Sequence, residues 1–386
     1  MKILYVTLSA IENNTSATIR NLALVDGFIR CGHQVEILTI PPTQNPEYFD
    51  AALIKNRQLT ISYFTQSKVY EQLSKDSSSL IHKLKKPLFK GLRWLYHRIS
   101  IYDYTIAIAK NCKITSCTKS HYDVLISSSD PKSSHVAAYQ LLKQGLKVDR
   151  WIQYWGDPLA YDITNRVVYP RWMLKIIEKK WLKKANSIVY VSPFTLRQQR
   201  QHFKKHGHKM RFIPIGYTQA KWISPTSAKL YNLAYFGDYY KKVRNIKPLL
   251  QAIKSTDWTM VLAGSSDVAI KHPQITVFAR STQAKIAELE NQSEISVVLL
   301  NRFGTQLPGK LFHYTASNQP VLVIVDGPYG DDMMAYIQSL NRFSCCRNNS
   351  DDIIEAIKKI RLNQKPILPN PYCHNEVIAK AFLQNI

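Results

Sequence analysis

Acidic residues are scarce in this chain of 386 residues: Asp and Glu number 27 against 52 Lys and Arg, which leaves a formal charge of +25. Glycine is scarcer still, with 13 in all. No Gly-x-Gly-x-x-Gly follows a strand-like run and no Gly-x-x-x-x-Gly-Lys-Ser/Thr occurs, which disfavours a dinucleotide-dependent dehydrogenase or a P-loop ATPase. No stretch approaches the roughly 18 to 20 consecutive apolar residues that span a bilayer. The apolar run Ile3 to Ile11 reads as a first buried strand rather than a secretory leader, because no small-residue cleavage site follows it. Cys31, Cys112, Cys117, Cys345, Cys346 and Cys373 form no Cys-x-x-Cys pair, and adjacent Cys345 and Cys346 cannot bridge without strain. They read as reduced thiols of a cytoplasmic protein. His202, His206 and His208 have no thiolate cluster beside them and read as a solvated basic turn rather than a zinc site.

What is present is a core and an uneven charge. Hydrophobic residues make up 45% of the chain, which excludes disorder as its main state. The excess of positive charge points to polyanions: nucleic acid, an anionic membrane surface or phosphorylated small molecules. It is concentrated before residue 220, where 33 basic residues face 14 acidic ones, against 19 and 13 in the remainder. Two segments carry much of it. Lys83, Lys85, Lys86, Lys90, Arg93 and Arg98 alternate with Leu84, Leu88, Phe89, Leu92, Trp94, Leu95 and Tyr96, a pattern able to lie in an anionic headgroup layer. Arg171, Lys175, Lys179, Lys180, Lys183 and Lys184, with Trp172, Ile176, Ile177, Trp181 and Leu182, fit an ordinary amphipathic helix packed on a sheet. No helix-turn-helix, zinc finger or RNA-binding signature accompanies the charge, so no specific nucleic acid is expected.

The order of elements predicts an α/β protein. Ile3 to Leu8 and Val35 to Ile40 are apolar runs. Between them Ile19, Leu22, Ala23, Val25, Phe28 and Ile29 recur at helical spacing, closed by Gly32, to give a βαβ unit. Strands at Val124 to Ser127, Arg150 to Tyr154, Ser187 to Val191 and Arg211 to Ile213 alternate with helices at Lys132 to Lys143, Tyr169 to Lys184 and Pro193 to His206. Residues 41–100 interrupt this rhythm as an irregular insertion, and Pro214 to Lys229 reads as a linker. The alternation then restarts with strands Leu230 to Phe236, Thr259 to Ala263, Ile275 to Phe278, Ile295 to Leu300 and Pro320 to Val325. The helices here are Asn245 to Lys254, Thr282 to Asn291, Gly309 to Ser317 and Asp351 to Ile360. The expectation is two doubly wound Rossmann-like domains facing a cleft, at 1–215 and 216–370, with a helix in 371–386 that returns to the first domain.

Two segments of the second domain suggest an anion site. In Gln306-Leu307-Pro308-Gly309-Lys310-Leu311-Phe312-His313, Pro308 and Gly309 open a helix whose first amides are unpaired, and Lys310 adds a full charge. His313, three residues on, can share its side of the helix and bond a sugar hydroxyl. In Leu233 to Leu250, a strand ends at Gly237, where the missing side chain permits close approach of a ligand. Arg244 lies at the next helix and can hold a diphosphate bidentately.

These segments resemble the donor-binding half of nucleotide-sugar glycosyltransferases with the GT-B fold, family four in particular. The N-terminal half is similar to that group as well, in Gly32-His33-Gln34-Val35, Tyr122 to Pro131 with its Ser127-Ser128-Ser129-Asp130-Pro131 loop, Trp155-Gly156-Asp157-Pro158, Ala185 to Ser192 and Phe212 to Tyr217. The resemblance runs in order along nearly the whole chain. It implies transfer of a sugar from a nucleoside-diphosphate donor to a glycan or lipid-linked glycan acceptor in cell-surface polysaccharide synthesis, with retention of configuration. It implies no cofactor and, with no Asp-x-Asp in the chain, no metal. Family four commonly carries two glutamates eight positions apart across the donor site; the corresponding residues here are Thr305 and His313.

The site residues expected are therefore Gly237, Arg244, Thr305, Pro308, Gly309, Lys310 and His313 for the donor. Asp157, after a first-domain strand, is the candidate for acceptor contact or proton transfer, and His135, near the start of the helix after Pro131, is a second catalytic candidate. The location expected is the cytoplasm, peripheral on the inner face of the membrane. Loss of both glutamates motivates a second reading, a non-catalytic relative that keeps the fold as a binding subunit; a nucleic-acid-binding protein is a third.

Overall fold

The structure is a computed structural model that describes residues 1–42, 49–55, 57–65, 96, 98–224, 229–363 and 366–384. Its contacts divide the chain into two units, Met1–Pro214 with Ala379–Ile386, and Ile215–Ile378.

In the first unit β1 (Lys2–Val6) has four consecutive buried residues, as expected of a strand covered on both faces. Helix α1 (Ser16–Arg30) starts where the Thr15 hydroxyl accepts from the amide of Thr18, and stops before Gly32, whose φ of +81° turns the chain into β2 (Gln34–Thr39). The remaining elements are β3 (Thr60–Tyr63), α2 (Ile106–Asn111), β4 (His121–Ser128), α3 (Ser133–Lys143), β5 (Lys147–Trp155), α4 (Arg171–Lys184), β6 (Ser187–Tyr190), α5 (Pro193–His202) and β7 (Met210–Phe212). The seven strands form one sheet in the order β3-β2-β1-β4-β5-β6-β7. All pairings are parallel, with Ile3 of β1 between Val35 of β2 and Val124 of β4. Leu4, Val6, Leu38, Leu125, Ala137 and Leu141 form the core between sheet and helices, and each fully buried leucine contributes about 1.5–3 kcal/mol.

Within the expected irregular insertion, β3 is an edge strand of the sheet, parallel to β2. Its four residues are too few for an alternating pattern to show. The basic run from Lys83 to Arg98 lies outside the described residues apart from Tyr96 and Arg98.

The second unit repeats the plan with β8 (Tyr231–Phe236), α6 (Lys247–Lys254), β9 (Met260–Ala263), β10 (Ile275–Phe278), α7 (Gln283–Asn291), β11 (Ser293–Leu299), α8 (Gly309–His313), β12 (Val321–Val325), α9 (Gly330–Ser339), β13 (Ser344–Arg347) and α10 (Ser350–Leu362). The order is β10-β9-β8-β11-β12-β13, again all parallel. The helix expected from Gly309 to Ser317 is shorter, a five-residue α-helix followed by a 3-10 turn at Tyr314–Ala316. Helix α9 and strand β13 have no counterpart in the sequence reading; Ser-Cys-Cys-Arg has no β-branched or alternating signal. The last helix, α11 (Asn375–Leu383), ends in the first unit. There Phe382 meets Phe28 and Tyr154 edge-on at 5.8 and 5.2 Å, and Arg211 donates to the carbonyls of Ala381, Phe382 and Gln384.

In each sheet the strand order reverses beside the first strand, between β1 and β4 and between β8 and β11. Ligands of open α/β sheets bind beyond the carboxyl ends of the strands at such reversals.

Candidate functional sites

Beyond β8, Gly237 and Gly264 bring two loops together so closely that a Cβ on Gly264 would collide with the Gly237 carbonyl. The loop after β8 then folds under the side chain of Arg244. The guanidinium donates to the carbonyl of Asp238 at 2.6 Å and, through Nε, to Asn301 Oδ1 at 3.2 Å, just past β11. These acceptors and the Tyr235 hydroxyl at 3.5 Å are all neutral, so the guanidinium is fixed in place and, among the described residues, no carboxylate contacts it. The Asp238 carboxylate is engaged elsewhere, accepting from Arg280 at 2.7 Å and from the amide of Ser265 at 2.9 Å.

Lys310, on α8, places Nζ 5.4 Å from the centroid of the Phe236 ring, the last residue of β8. Among the described residues its ammonium has no ion-pair partner. Burial, foremost, and the nearby charges of Lys221 and Arg244 push its pKa down to about 8, against the opposing pull of Glu290 and Asp238. Gly237, Arg244 and Lys310 are thus brought to one place.

Pro308 and Gly309 form the entry to α8, with Pro308 extended at φ −60° and ψ 132°. Thr305 is buried and its amide donates to Gln306 Oε1 at 3.1 Å. His313 is half-buried, with Nε2 enclosed and unpartnered. Burial, and then Lys221 and Lys310, lower its pKa to about 3, so the ring is neutral at ordinary pH.

In the first unit the loops after β4 and β5 interlock. Arg20, rising from buried α1, donates to the Ser129 carbonyl and to Ser128 Oγ, and lies 4.8 Å from the Tyr154 ring. A side chain at Gly156 would collide with Arg20. Lys132 bridges Asp130 at 2.8 Å and Asp162 at 2.6 Å. Asp157 is half-buried beside this group, and among the described residues nothing donates a hydrogen bond to its carboxylate. Burial first, then Asp162 and Asp130, push its pKa up to about 8, against Lys132 and Arg20. The loop after Asp157 is held from below by Glu178 of α4, which accepts from the amide of Ala160 at 2.9 Å. A cavity of about 540 Å³ lies alongside, lined by Tyr102, Asp103, Lys132, Asp162 and Arg166 among others.

His135 is only 1% exposed. Its Nδ1 meets Ser127 Oγ at 2.7 Å and its ring lies 4.2 Å from that of Trp155. It reaches the neighbourhood of Asp157 only through Trp155, two residues before it.

Arg20, Lys132, Asp162, Glu178, Arg280 and Asn301 were not anticipated. Asp238, Arg280 and Asn301 all occupy the second position after a strand, so a register of polar residues just past strand ends would have found them. The others have no such mark; Arg20 and Glu178 lie inside helices and find their hydrogen-bond partners only by tertiary contact.

Solved structures share this fold over nearly the whole chain. HepE of Anabaena, in complex with UDP and glucose, is 11% identical, with 99% of this chain and 95% of that one aligned and a TM-score of 0.56. AviGT4, a glycosyltransferase involved in avilamycin A biosynthesis, is 12% identical over 99% and 96% of the two chains at 0.55. A glycosyltransferase from Rickettsia africae ESF-5 is 12% identical over 100% and 93% at 0.54. No family model and no curated protein matches the sequence. At these identities the likeness shows architecture: two parallel sheets of seven and six strands, each wrapped in helices, in the order of the GT-B glycosyltransferases. The chain has the GT-B fold.

Proposed function

We propose that the protein is a glycosyltransferase that takes a sugar from a nucleoside-diphosphate donor bound at the end of β8 and passes it to a hydroxyl of a glycan or lipid-linked glycan. The observation that carries this reading is the convergence of Arg244 and Lys310 on Gly237 with no carboxylate, among the described residues, neutralising either by contact. Transfer of the sugar breaks the bond from its anomeric carbon to the diphosphate, and the electron pair stays with the diphosphate. Two fixed cations stabilise the charge that develops there, so the reading includes no divalent metal. Neutral His313 has a ring nitrogen for a donor hydroxyl in the place where related enzymes carry a carboxylate. Since HepE is described with UDP, a uridine donor is the first to test.

In the first unit Asp157, in its ionised fraction, takes the proton of the acceptor hydroxyl in this reading, and Lys132, Asp162 and the adjoining cavity give the polar surroundings a glycan needs. His135 is a positioning residue, behind Trp155. Retention of configuration belongs to this proposal through the resemblance of the donor half.

The test is thermal unfolding with UDP. A nucleotide at about 100 times its Kd adds about 2.7 kcal/mol, a rise of about 5–11 °C for a unit of this size, and Lys310→Ala abolishes it. Turnover of UDP-sugars in the presence of glycan acceptors completes the case. Thr305 and His313, in place of two carboxylates, favour the alternative of a binding subunit. A full thermal shift with no sugar released from any common donor would decide for that alternative.

A further inference from the structure

Helix α4 has a buried side and an exposed side that both carry apolar residues. Leu174, Glu178 and Leu182 face the core and are buried. On the opposite side Trp172, Ile176, Lys179 and Lys183, spaced i, i+4, i+7 and i+11, form the outermost stripe. Trp172 is 65% exposed and Ile176 50%, and Val168, just before the helix, is 61% exposed. An amphipathic helix that merely packs on a sheet keeps its apolar residues inward; here two of them stand at the centre of the solvent face, flanked by Arg171, Lys180 and Lys184.

The exposed charges of this helix are of one sign. The only acidic residue of α4 is the buried Glu178, and none occurs in the sequence from there to Asp238. The neighbouring turn Lys204–Lys209 joins the same surface, with Lys209 donating to the carbonyls of Lys183 and Ala185 at 3.2 and 2.8 Å. At the other end of the helix, Arg171 lies 4.9 Å from the Tyr161 ring, which stacks on His202 at 4.5 Å. Tyr161 lies in the loop from β5 to α4 that also carries Asp157, so this face borders that loop.

From this geometry we propose that the outer face of α4 docks the protein on an anionic phospholipid bilayer, with Trp172 and Ile176 entering the boundary between headgroups and acyl chains and the surrounding lysines and arginine meeting lipid phosphates. Exposed tryptophan and isoleucine within a cationic helix suit that boundary, where an indole sits at headgroup level. Isoleucine and valine add nothing to a nucleic-acid contact, which is why a bilayer is the better partner. Among the described residues no helix is long and apolar enough to cross a membrane, so the attachment is to one leaflet. The proposal concerns the first unit's surface alone and stands apart from the transferase reading; where both hold, the face next to Asp157 brings a lipid-borne acceptor to it.

The experiment is sedimentation of the full chain with vesicles of phosphatidylcholine alone or with about 30% phosphatidylglycerol, without donor or acceptor. Binding is expected only to the anionic vesicles and weakens with salt. Each lysine near such a surface is worth about fivefold in partitioning, so Lys179→Glu/Lys180→Glu/Lys183→Glu lowers it by about 100-fold or more. Trp172→Ser/Ile176→Ser lowers binding to a smaller degree, and Trp172→Phe removes the part of the fluorescence quenched by lipid-borne quenchers while binding persists. All these side chains are exposed, and an unchanged melting temperature with an unchanged UDP response shows that the variants are folded. Wild-type vesicle binding by the triple variant overturns the proposal, as does tryptophan emission insensitive to lipid quenchers. Tighter binding to a single-stranded RNA than to anionic vesicles at physiological salt also overturns it.

Discussion

Beyond β4 and β5, the ammonium of Lys132 is enclosed by the carboxylates of Asp130 and Asp162, and a third carboxyl, Asp157, stands beside them. Beyond β8, the ammonium of Lys310 faces an aromatic ring, and the guanidinium of Arg244 is bound by a carbonyl and an amide. The same kinds of residue sit at the same place in two similar sheets with opposite results. In the first unit the cation is neutralised and a carboxyl is left over, held towards its protonated form. In the second the cations are left over, and one is held towards its neutral form. The raised pKa makes the ionised fraction of that carboxyl a stronger base for a hydroxyl proton; a site of the second kind suits a ligand that brings its own negative charge.

The comparison breaks most sharply at the two left-over groups. Asp157→Asn is expected to lower kcat by about 100- to 10,000-fold if the carboxylate takes the acceptor proton, with the UDP thermal shift intact. Lys132→Met leaves three carboxyls without their cation and is expected to lose about 3–5 kcal/mol of stability by chemical unfolding. Lys310→Met, the corresponding change in the second unit, should behave in the opposite sense: removing a desolvated, unpaired ammonium raises the melting temperature while kcat/KM falls about 100- to 1,000-fold. Destabilisation by both lysine substitutions would show that the two sites do not differ in the way described.

The pH dependence of stability sharpens the same contrast. Asp157 has a pKa raised from 3.8 to about 8, so between those values the folded chain holds more protons than the unfolded one, and this group's contribution falls as pH rises. Lys310 has a pKa lowered from 10.5 to about 8, so from pH 8 upwards the unfolded chain holds more protons and this contribution grows with pH. Subtracting the Asp157→Asn curve from that of the wild type should leave a difference sloping downward between pH 4 and 8, and subtracting Lys310→Met one sloping upward above pH 8. Equal slopes in both differences would remove the distinction.

How much of this could be read in the sequence differs between the sites for a physical reason. Gly237, Arg244 and Lys310 follow strand ends within short segments, where an unpaired charge beside a glycine is itself the signal, and the alternation of apolar runs showed the two sheets. The first-unit cluster brings Arg20, Lys132, Asp162 and Glu178 to Asp157, and apart from Asp157 each is unremarkable until the fold closes. The outer face of α4 escaped for a different reason: helical spacing shows that Trp172 and Ile176 share a side but not which side meets the core. Thr305 and His313 mark the opposite case, positions found by resemblance whose surroundings, one buried and one half-buried, only coordinates supply.

The smallest expected effect lies at Glu178, which joins the Asp157 loop to α4. Burial is the main reason its pKa is pushed up to about 7 from 4.5. Since the folded chain keeps the proton over that range, this carboxyl's contribution also falls as pH rises from 4.5 to 7. Glu178→Gln keeps an oxygen for the amide of Ala160 and removes the charge, so stability at neutral pH should move by no more than about 1 kcal/mol. The part of the downward slope that survives in Asp157→Asn should shrink with it. Glu178→Leu instead strands a buried amide and is expected to lose about 1–3 kcal/mol and to raise KM for the acceptor more than it lowers kcat. Equal losses for Gln and Leu would show that the charge, rather than the hydrogen bond, holds the loop.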